Sequence, residues 1–414
     1  MGEKIQKQSL NVLYLTVFID MLGFGVIIPL LPYLVGKLGA SGLYAASLLS
    51  IFSLMQFIFS PILGRLSDRY GRKNILALCL LGSIISYALY ALAFVITKQP
   101  HTTLLLIFIS RLLAGVMGAN IPLAYSYIAD NTPVEGRAGA MGKIGAAFGL
   151  GFIFGPAISG ILTPYGLAAP GLVAMIISGF ALICALYFLK DPKKTGCITH
   201  QLEKLTVRQL LNILTHRVIG KIILASLLYG LAFVQMEAIY SLFIGHVYHL
   251  TQSQIANLFV FVGVVVAISQ GALVGPLSKA IGNMNLLILG CILLAISYVL
   301  IYHATTIPMM LISSAGIALA AGAINPTLVV IVSRYVDQDK QGLTQGIVQS
   351  ASSLSRVVGP LIAGVLYDRS VTSPFLLGCL LMIIVIVIAY VLKGDMMNKK
   401  TVFYFKNKFN RTGV

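Results

Sequence analysis

Tryptophan is absent from the 414 residues, acidic residues number 12, and charged residues of both signs make up 10% of the chain. A soluble domain draws about a quarter of its residues from Asp, Glu, Lys and Arg, so this shortage excludes an ordinary soluble domain. The groups that do chemistry in enzymes are missing as well. There is no nucleophile motif, no metal-ligand spacing among the six histidines and five cysteines, and no phosphate loop of the form G-x-x-x-x-G-K-S/T. Neither an enzyme nor a chain-borne ATPase motor is expected, and no cofactor or metal is implied. Energy would then come from an ion gradient, in which one charge crossing 100 mV contributes about 2.3 kcal/mol. Cys79, Cys184, Cys291 and Cys379 fall in apolar runs and Cys197 in a polar connection, so no disulfide framework is visible.

What the chain has is apolar length. Hydrophobic residues make up 58% and the mean hydropathy is +0.94. Runs near the roughly 20 residues needed to cross about 30 Å of hydrocarbon recur throughout. They predict an all-α membrane protein with twelve transmembrane helices, over 10–36, 42–66, 73–98, 101–129, 138–164, 168–190, 218–246, 254–278, 284–304, 307–333, 341–367 and 373–393. No small-residue cleavage site ends the first run, which is expected to remain as a signal-anchor. Lys and Arg crowd the connections on the side of the two termini, while the opposite connections hold Lys37, Lys98 and Arg369. Positive loops stay cytoplasmic, so both termini are expected in the cytoplasm of a multi-pass cell-membrane protein. A bacterial inner membrane fits the short polar termini, with an organellar membrane as the alternative. The net charge of +17 is then a topology signal and an attraction to lipid headgroups, and no nucleic-acid partner is implied.

The polar stretch 191–217 divides the spans six and six, giving a first half 1–190, a linker, a second half 218–393 and a basic-aromatic tail 394–414. The halves resemble each other. Gly64, Ser67, Gly71, Ser86 and Tyr87 align with Gly275, Ser278, Gly282, Ser297 and Tyr298 at one offset of 211 residues. Gly118, Pro122 and Gly155 align with Gly322, Pro326 and Gly359 at an offset of 204. Duplication explains ordered matches at nearly equal offsets better than chance does. It predicts two pseudo-symmetric halves with a site near the membrane midplane between them.

The stretch GRLSDRYGRK, with Gly64, Asp68, Arg69, Gly71 and Arg72 on pattern, resembles the signature of the major facilitator superfamily. ISRLLAGVMGAN carries Arg111 and Gly115 as that family's fourth-span element does. GLGFIFGPAISG, with Gly151, Gly155, Pro156 and Gly160, resembles the fifth-helix element of proton antiporters. FIDMLGFGVIIPLLPYL looks like the opening span of the tetracycline-exporter branch. The resemblance implies that Asp68, Arg72 and Asp130 form a cytoplasmic charge cluster docking against the start of the eleventh span. It also implies that the fifth-helix element limits leak, although close helix packing alone accounts for its glycines nearly as well. Tetracycline exporters carry acids in the third and ninth spans where this chain has Ser86 and Leu294, an argument against tetracycline itself.

Ionisable groups inside spans cost at least about 2.5 to 3.5 kcal/mol each at the bilayer centre and are usually functional. Asp20, Arg111, Glu237 and Arg356 are the four deep ones. Asp20 and Arg111 are expected to couple transport to protons, or else to form a permanent salt bridge. Glu237 and Arg356 are expected at the substrate cavity, or paired with each other, with Gln56, Asn120, Gln235 and Asn325 as further polar lining. The leading reading is proton-coupled efflux of a small amphipathic or drug-like compound by a monomer in the lipid bilayer. A proton-linked transporter of a metabolite or siderophore, inward or outward, is the alternative. A non-transporting sensor would be expected to show an added soluble domain.

Overall fold

The computed structural model describes residues 2–27, 31–96, 99–132, 134–189, 218–335 and 338–397. Every regular element among them is helical. The first six spans give α1 (Gly2–Ile27), α2 (Leu31–Lys37), α3 (Gly42–Tyr70), α4 (Arg72–Val95), α5 (Pro100–Val116), α6 (Asn120–Asn131), α7 (Val134–Leu162) and α8 (Ala169–Phe188). The last six give α9 (Ile219–Val247), α10 (Gln252–Ile268), α11 (Val274–Ile281), α12 (Asn283–Tyr302), α13 (Ile307–Tyr335), α14 (Gln338–Arg369) and α15 (Ser373–Met397). Ten helical stretches among the described residues are long and apolar enough to cross a membrane. The fifth and eleventh expected spans fall on α7 and α14, which are 29 and 32 residues long. Residues 191–217, the expected linker, and most of the tail lie outside the described residues.

In lipid, where water cannot satisfy a free peptide group, helices must close their own hydrogen bonds and associate by close packing of small residues. α8 illustrates the pattern. It buries Ala174, Ser178, Ala181 and Ala185 and exposes Ile176, Phe180, Ile183 and Tyr187 on the opposite stripe. Small residues face protein and large apolar ones face outward, the reverse of a soluble helix.

Three expected spans are not single α-helices. The first comprises α1 and α2, and residues 28–30 between them lie outside the described residues. The fourth breaks at 117–119 between α5 and α6. The eighth contains a π-helical turn, Ser269–Leu273, between α10 and α11.

The chain packs as two compact units. The first contains Met1–Thr195, Glu237–Val264 and Pro360–Val371, and the second Gly196–Met236, Val265–Gly359 and Thr372–Val414. In the first, α1 packs on α7 and α8, α4 on α5 and α8, and α3 on α5. Leu13, Val17, Leu80, Leu123, Ile128 and Ile144 form the centre of its core. In the second, α12 packs on α13 and α15, and Lys221 pairs with Asp395 at 2.6 Å.

The duplicated turns match bond for bond. Gly71 (φ 95°) and Gly282 (φ 81°) each occupy backbone space that favours glycine. Ser67 Oγ donates to the Gly64 carbonyl at 2.6 Å, and Ser278 Oγ to that of Gly275 at 3.0 Å. Asn74 donates to the Tyr70 carbonyl at 2.9 Å, and Asn285 to that of Ile281 at 2.7 Å.

Candidate functional site

The break in the fourth span joins a local feature to a partner on another helix. Pro122 has no N–H, so the Gly118 carbonyl four residues earlier has no helical donor. Gln56 of α3 supplies one, donating from Nε2 to the Gly118 oxygen at 2.6 Å. Its amide, expected to line a cavity, is thus bonded to this backbone. Asn120 opens α6, is 3% exposed, and its side chain hydrogen-bonds the Asp20 carboxylate together with Ser83 of α4. A carboxylate held by the first residue of a helix is favoured by the exposed N–H groups and the macrodipole there. Asp20 is itself buried on α1.

Arg111 is the largest fully buried side chain among the described residues. It donates to Ser110 Oγ at 3.4 Å, and its Nε has no partner. Asp20 and Arg111 do not form an ion pair: hydrogen bonds from Asn120 and Ser83 surround the one, and the Tyr87 and Tyr90 rings lie in the field of the other. The expectation of a permanent Asp20–Arg111 bridge therefore has no counterpart in the geometry. α4 and α5 are held in register by two reciprocal bonds. Ser86 Oγ donates to the Ser110 carbonyl and Ser110 Oγ to that of Ser86, both at 2.9 Å.

At one end of this bundle Arg72 joins Asp68 at 2.6 Å and Asp130 at 2.9 Å. It also donates to Ser67 Oγ and, at 3.4 Å, to the Gly64 carbonyl. Arg69 is exposed and lies over the Tyr70 ring. The expected contact with the start of the eleventh span involves side chains of 338–346, outside the described residues.

At the opposite end of the same unit, helix ends from both sequence halves close together. Asp368 at the end of α14 accepts from the backbone N–H of Gly42 (2.7 Å) and Leu43 (3.1 Å), the first residues of α3. A Cβ at Gly364 would fall 2.6 Å from the Leu43 Cα. Tyr33 of α2 packs on Gly245 of α9, and the Tyr367 hydroxyl meets His246 Nδ1 at 3.3 Å. Ser253 of α10 donates to the Gly160 carbonyl at 3.1 Å.

Gly151 and Gly155 of α7 lie against Met21 and Gly25 of α1, so close that a Cβ at Gly155 would fall 2.5 Å from the Gly25 carbonyl carbon. Pro156 is buried inside α7. Elsewhere, Gln235 is 1% exposed with Oε1 unpartnered. Glu237 is half-buried on α9, and Arg356 and Asn325 are exposed. Sequence reasoning missed Ser83, Tyr87 and Asp368. Tyr87 carried a signal in the repeat, where it aligns with Tyr298, but nothing local marks Asp368.

A model of the Major Facilitator Superfamily matches residues 13–305 and 238–403. Tetracycline resistance protein, class C, of Escherichia coli is 31% identical over 379 residues, covering 88% of this chain and 91% of its own. Multidrug resistance protein 2 of Bacillus subtilis is 30% identical, covering 92% and 94%. Among solved structures, the nucleoside transporter NupG aligns with a TM-score of 0.70 at 14% identity, over 94% of this chain and 98% of its own. The human organic anion transporter MFSD10 aligns at 0.66 and 22% identity, over 93% and 99%. At these identities the two structures speak for the fold alone.

Proposed function

Since the chain belongs to the Major Facilitator Superfamily, a family of multi-pass membrane transporters of small molecules, we propose that it exports an amphipathic, drug-like compound in exchange for protons. The observation that carries this reading is the buried Asp20 carboxylate, hydrogen-bonded by Asn120 and Ser83 and not paired with the buried Arg111. A direct guanidinium partner would hold the acid ionised through the cycle. A carboxylate with neutral partners can be discharged by a proton or screened by a cationic substrate. The tetracycline and multidrug resistance proteins among its relatives support the substrate class.

The two ends of the first unit support alternating access. With the termini in the cytoplasm, as the Lys and Arg distribution indicates, the Asp68–Arg72–Asp130 cluster is cytoplasmic and the Asp368 end faces outward. At the outer end α14 is then fastened to α3, and export requires the bonds of Asp368 to α3 to open. A proton gradient across a bacterial inner membrane supplies the work, and the chain acts as a monomer.

A second reading is favoured by Arg356, exposed in the middle of α14 and in no ion pair among the described residues. It suits an anionic group on a metabolite or siderophore, moved with protons in either direction.

The test is proton movement in proteoliposomes loaded with a pH-sensitive dye, using tetraphenylphosphonium, ethidium and tetracycline as probes and benzoate-type anions as the contrast. Wild type should discharge an imposed gradient with the cationic probes. Asp20→Asn should bind them and fail to move protons. Discharge by anions alone would favour the second reading, and a variant that moves protons like wild type removes Asp20 from the mechanism.

A further inference from the structure

We propose that Tyr87 is the positioning residue through which Arg111 acts on Asp20, the two charges being joined by a phenol in place of an ion pair. This rests on the proton-coupling role of Asp20.

The geometry comes from three helices. On α4, Tyr87 is buried and its hydroxyl would lie 3.0 Å from a Cβ at Gly23. Gly23 is on α1, one helical turn beyond Asp20, so the hydroxyl end reaches the face of α1 that carries the acid. The reciprocal Ser86 and Ser110 bonds clamp α4 to α5 at the adjoining residues and hold Tyr87 and Arg111 at the same depth. Tyr87 accordingly lies in the fields of both Asp20 and Arg111. Asp20 and Arg111 are the two opposite charges whose fields reach it, with Asn120 and Ser83 on the Asp20 side and Tyr90 on the Arg111 side.

The duplicate provides an internal control. Tyr298, the matching residue of the second half, donates to the Ala232 carbonyl at 2.8 Å. Ser297, matching Ser86, bonds to Leu293 of its own helix and clamps nothing. The same Ser-Tyr pair is thus an ordinary helix fastener in one half and lies in the fields of two buried charges in the other.

A phenol suits the link because it donates one hydrogen bond and accepts others. In the proposed ionised state the Tyr87 O–H would donate to the Asp20 carboxylate and its oxygen would accept from Arg111, whose Nε–H has no partner among the described residues. When Asp20 takes a proton, the new carboxyl O–H donates to the phenol oxygen and the Tyr87 hydrogen turns away. The proton taken up stays on Asp20, and Tyr87 and Arg111 keep theirs. Arg111 thereby steadies the ionised state without the direct bridge that would fix it.

The test needs no known substrate. Full-length protein in lipid nanodiscs is titrated by infrared difference spectroscopy, and the Asp20 carboxyl band is identified by its loss in Asp20→Asn. Tyr87→Phe should change the frequency of that band and move its midpoint by at least about one pH unit, the effect of losing a hydrogen bond to a charged group. Tyr298→Phe should leave both unchanged. If Tyr87→Phe folds poorly, the double variant Ser86→Ala with Ser110→Ala, which loosens only the clamp, should alter the same band. An Asp20 band indifferent to Tyr87 and to the clamp, or one that Tyr298→Phe alters equally, overturns the proposal. An Asp20 that shows no titration between about pH 5 and 9 in wild type sinks the coupling role itself, a separate result seen before any Tyr87 variant is measured.

Discussion

The turn from Gly64 to Asn74 and the turn from Gly275 to Asn285 share their glycines, their serine and asparagine bonds and their backbone path, yet only the first carries an acid-base pair. Where the first has Asp68 and Arg72, the second has Lys279 and Asn283. The turn therefore does not need its charges in order to form. Arg72 reaches outside the turn to Asp130, and that reach is what the charge adds. The same lesson holds at mid-span. Gly118 and Pro122 break the fourth helix, whereas the matching Gly322 and Pro326 lie inside the continuous α13. In the first half the fourth span has an irregular stretch that a side chain of the second completes. In the second half the irregular turn, Ser269–Leu273, belongs to the eighth span, and its Ser269 donates to Leu319 of α13 at 3.0 Å.

Paired substitutions break or sharpen that comparison, read as thermal stability of the purified protein. The largest contrast should be between the matched glycines. Gly155→Val forces α7 off Gly25 and should cost about 3 kcal/mol or more. Gly359→Ala meets Val234 at an ordinary 3.5 Å and should be neutral or up to about 1 kcal/mol stabilising. Next comes the break. Gln56→Leu leaves the Gly118 carbonyl without a donor and should cost about 1 to 3 kcal/mol, against roughly 0.5 to 1 for Ser269→Ala, whose acceptor is a helix carbonyl. Tyr298→Phe should cost about 1 kcal/mol through the lost bond to Ala232. The smallest stability change is expected at the charged turn. Arg72→Asn, which copies the second half, should alter stability by less than about 1 kcal/mol because its partners are largely exposed. Transport in vesicles should nevertheless fall severely, and a variant that transports normally would mean the charges serve topology alone.

Much of this was legible in the text of the chain. Spans are readable because lipid forbids unsatisfied backbone, and buried charges because each is costly enough to stand out. The break at 117–119 was not readable from Gly118 and Pro122, since the same two residues leave α13 whole. What differs is a partner on another helix, Gln56, and a local pattern does not contain it. Tyr87 was hidden for a related reason: in the alignment it is one more conserved-looking apolar match to Tyr298, and its surroundings, not its identity, distinguish it. Asp368 is further still from a local signal, with its partners 326 and 325 residues away.

That last contact has an evolutionary consequence. Asp368 grips peptide groups, so on the α3 side there is no side chain whose loss would release it. A saturation map of the protein would show an intolerant acid at the end of α14 facing a position, Leu43, that accepts many residues. Gly42 alone would register, because any Cβ there meets Tyr367 at 2.7 Å and the Asp368 carboxylate at 2.9 Å. Covariation between the two helices would be faint at the point where they are joined, and a lineage could rewrite the start of its second span while keeping the same fastening.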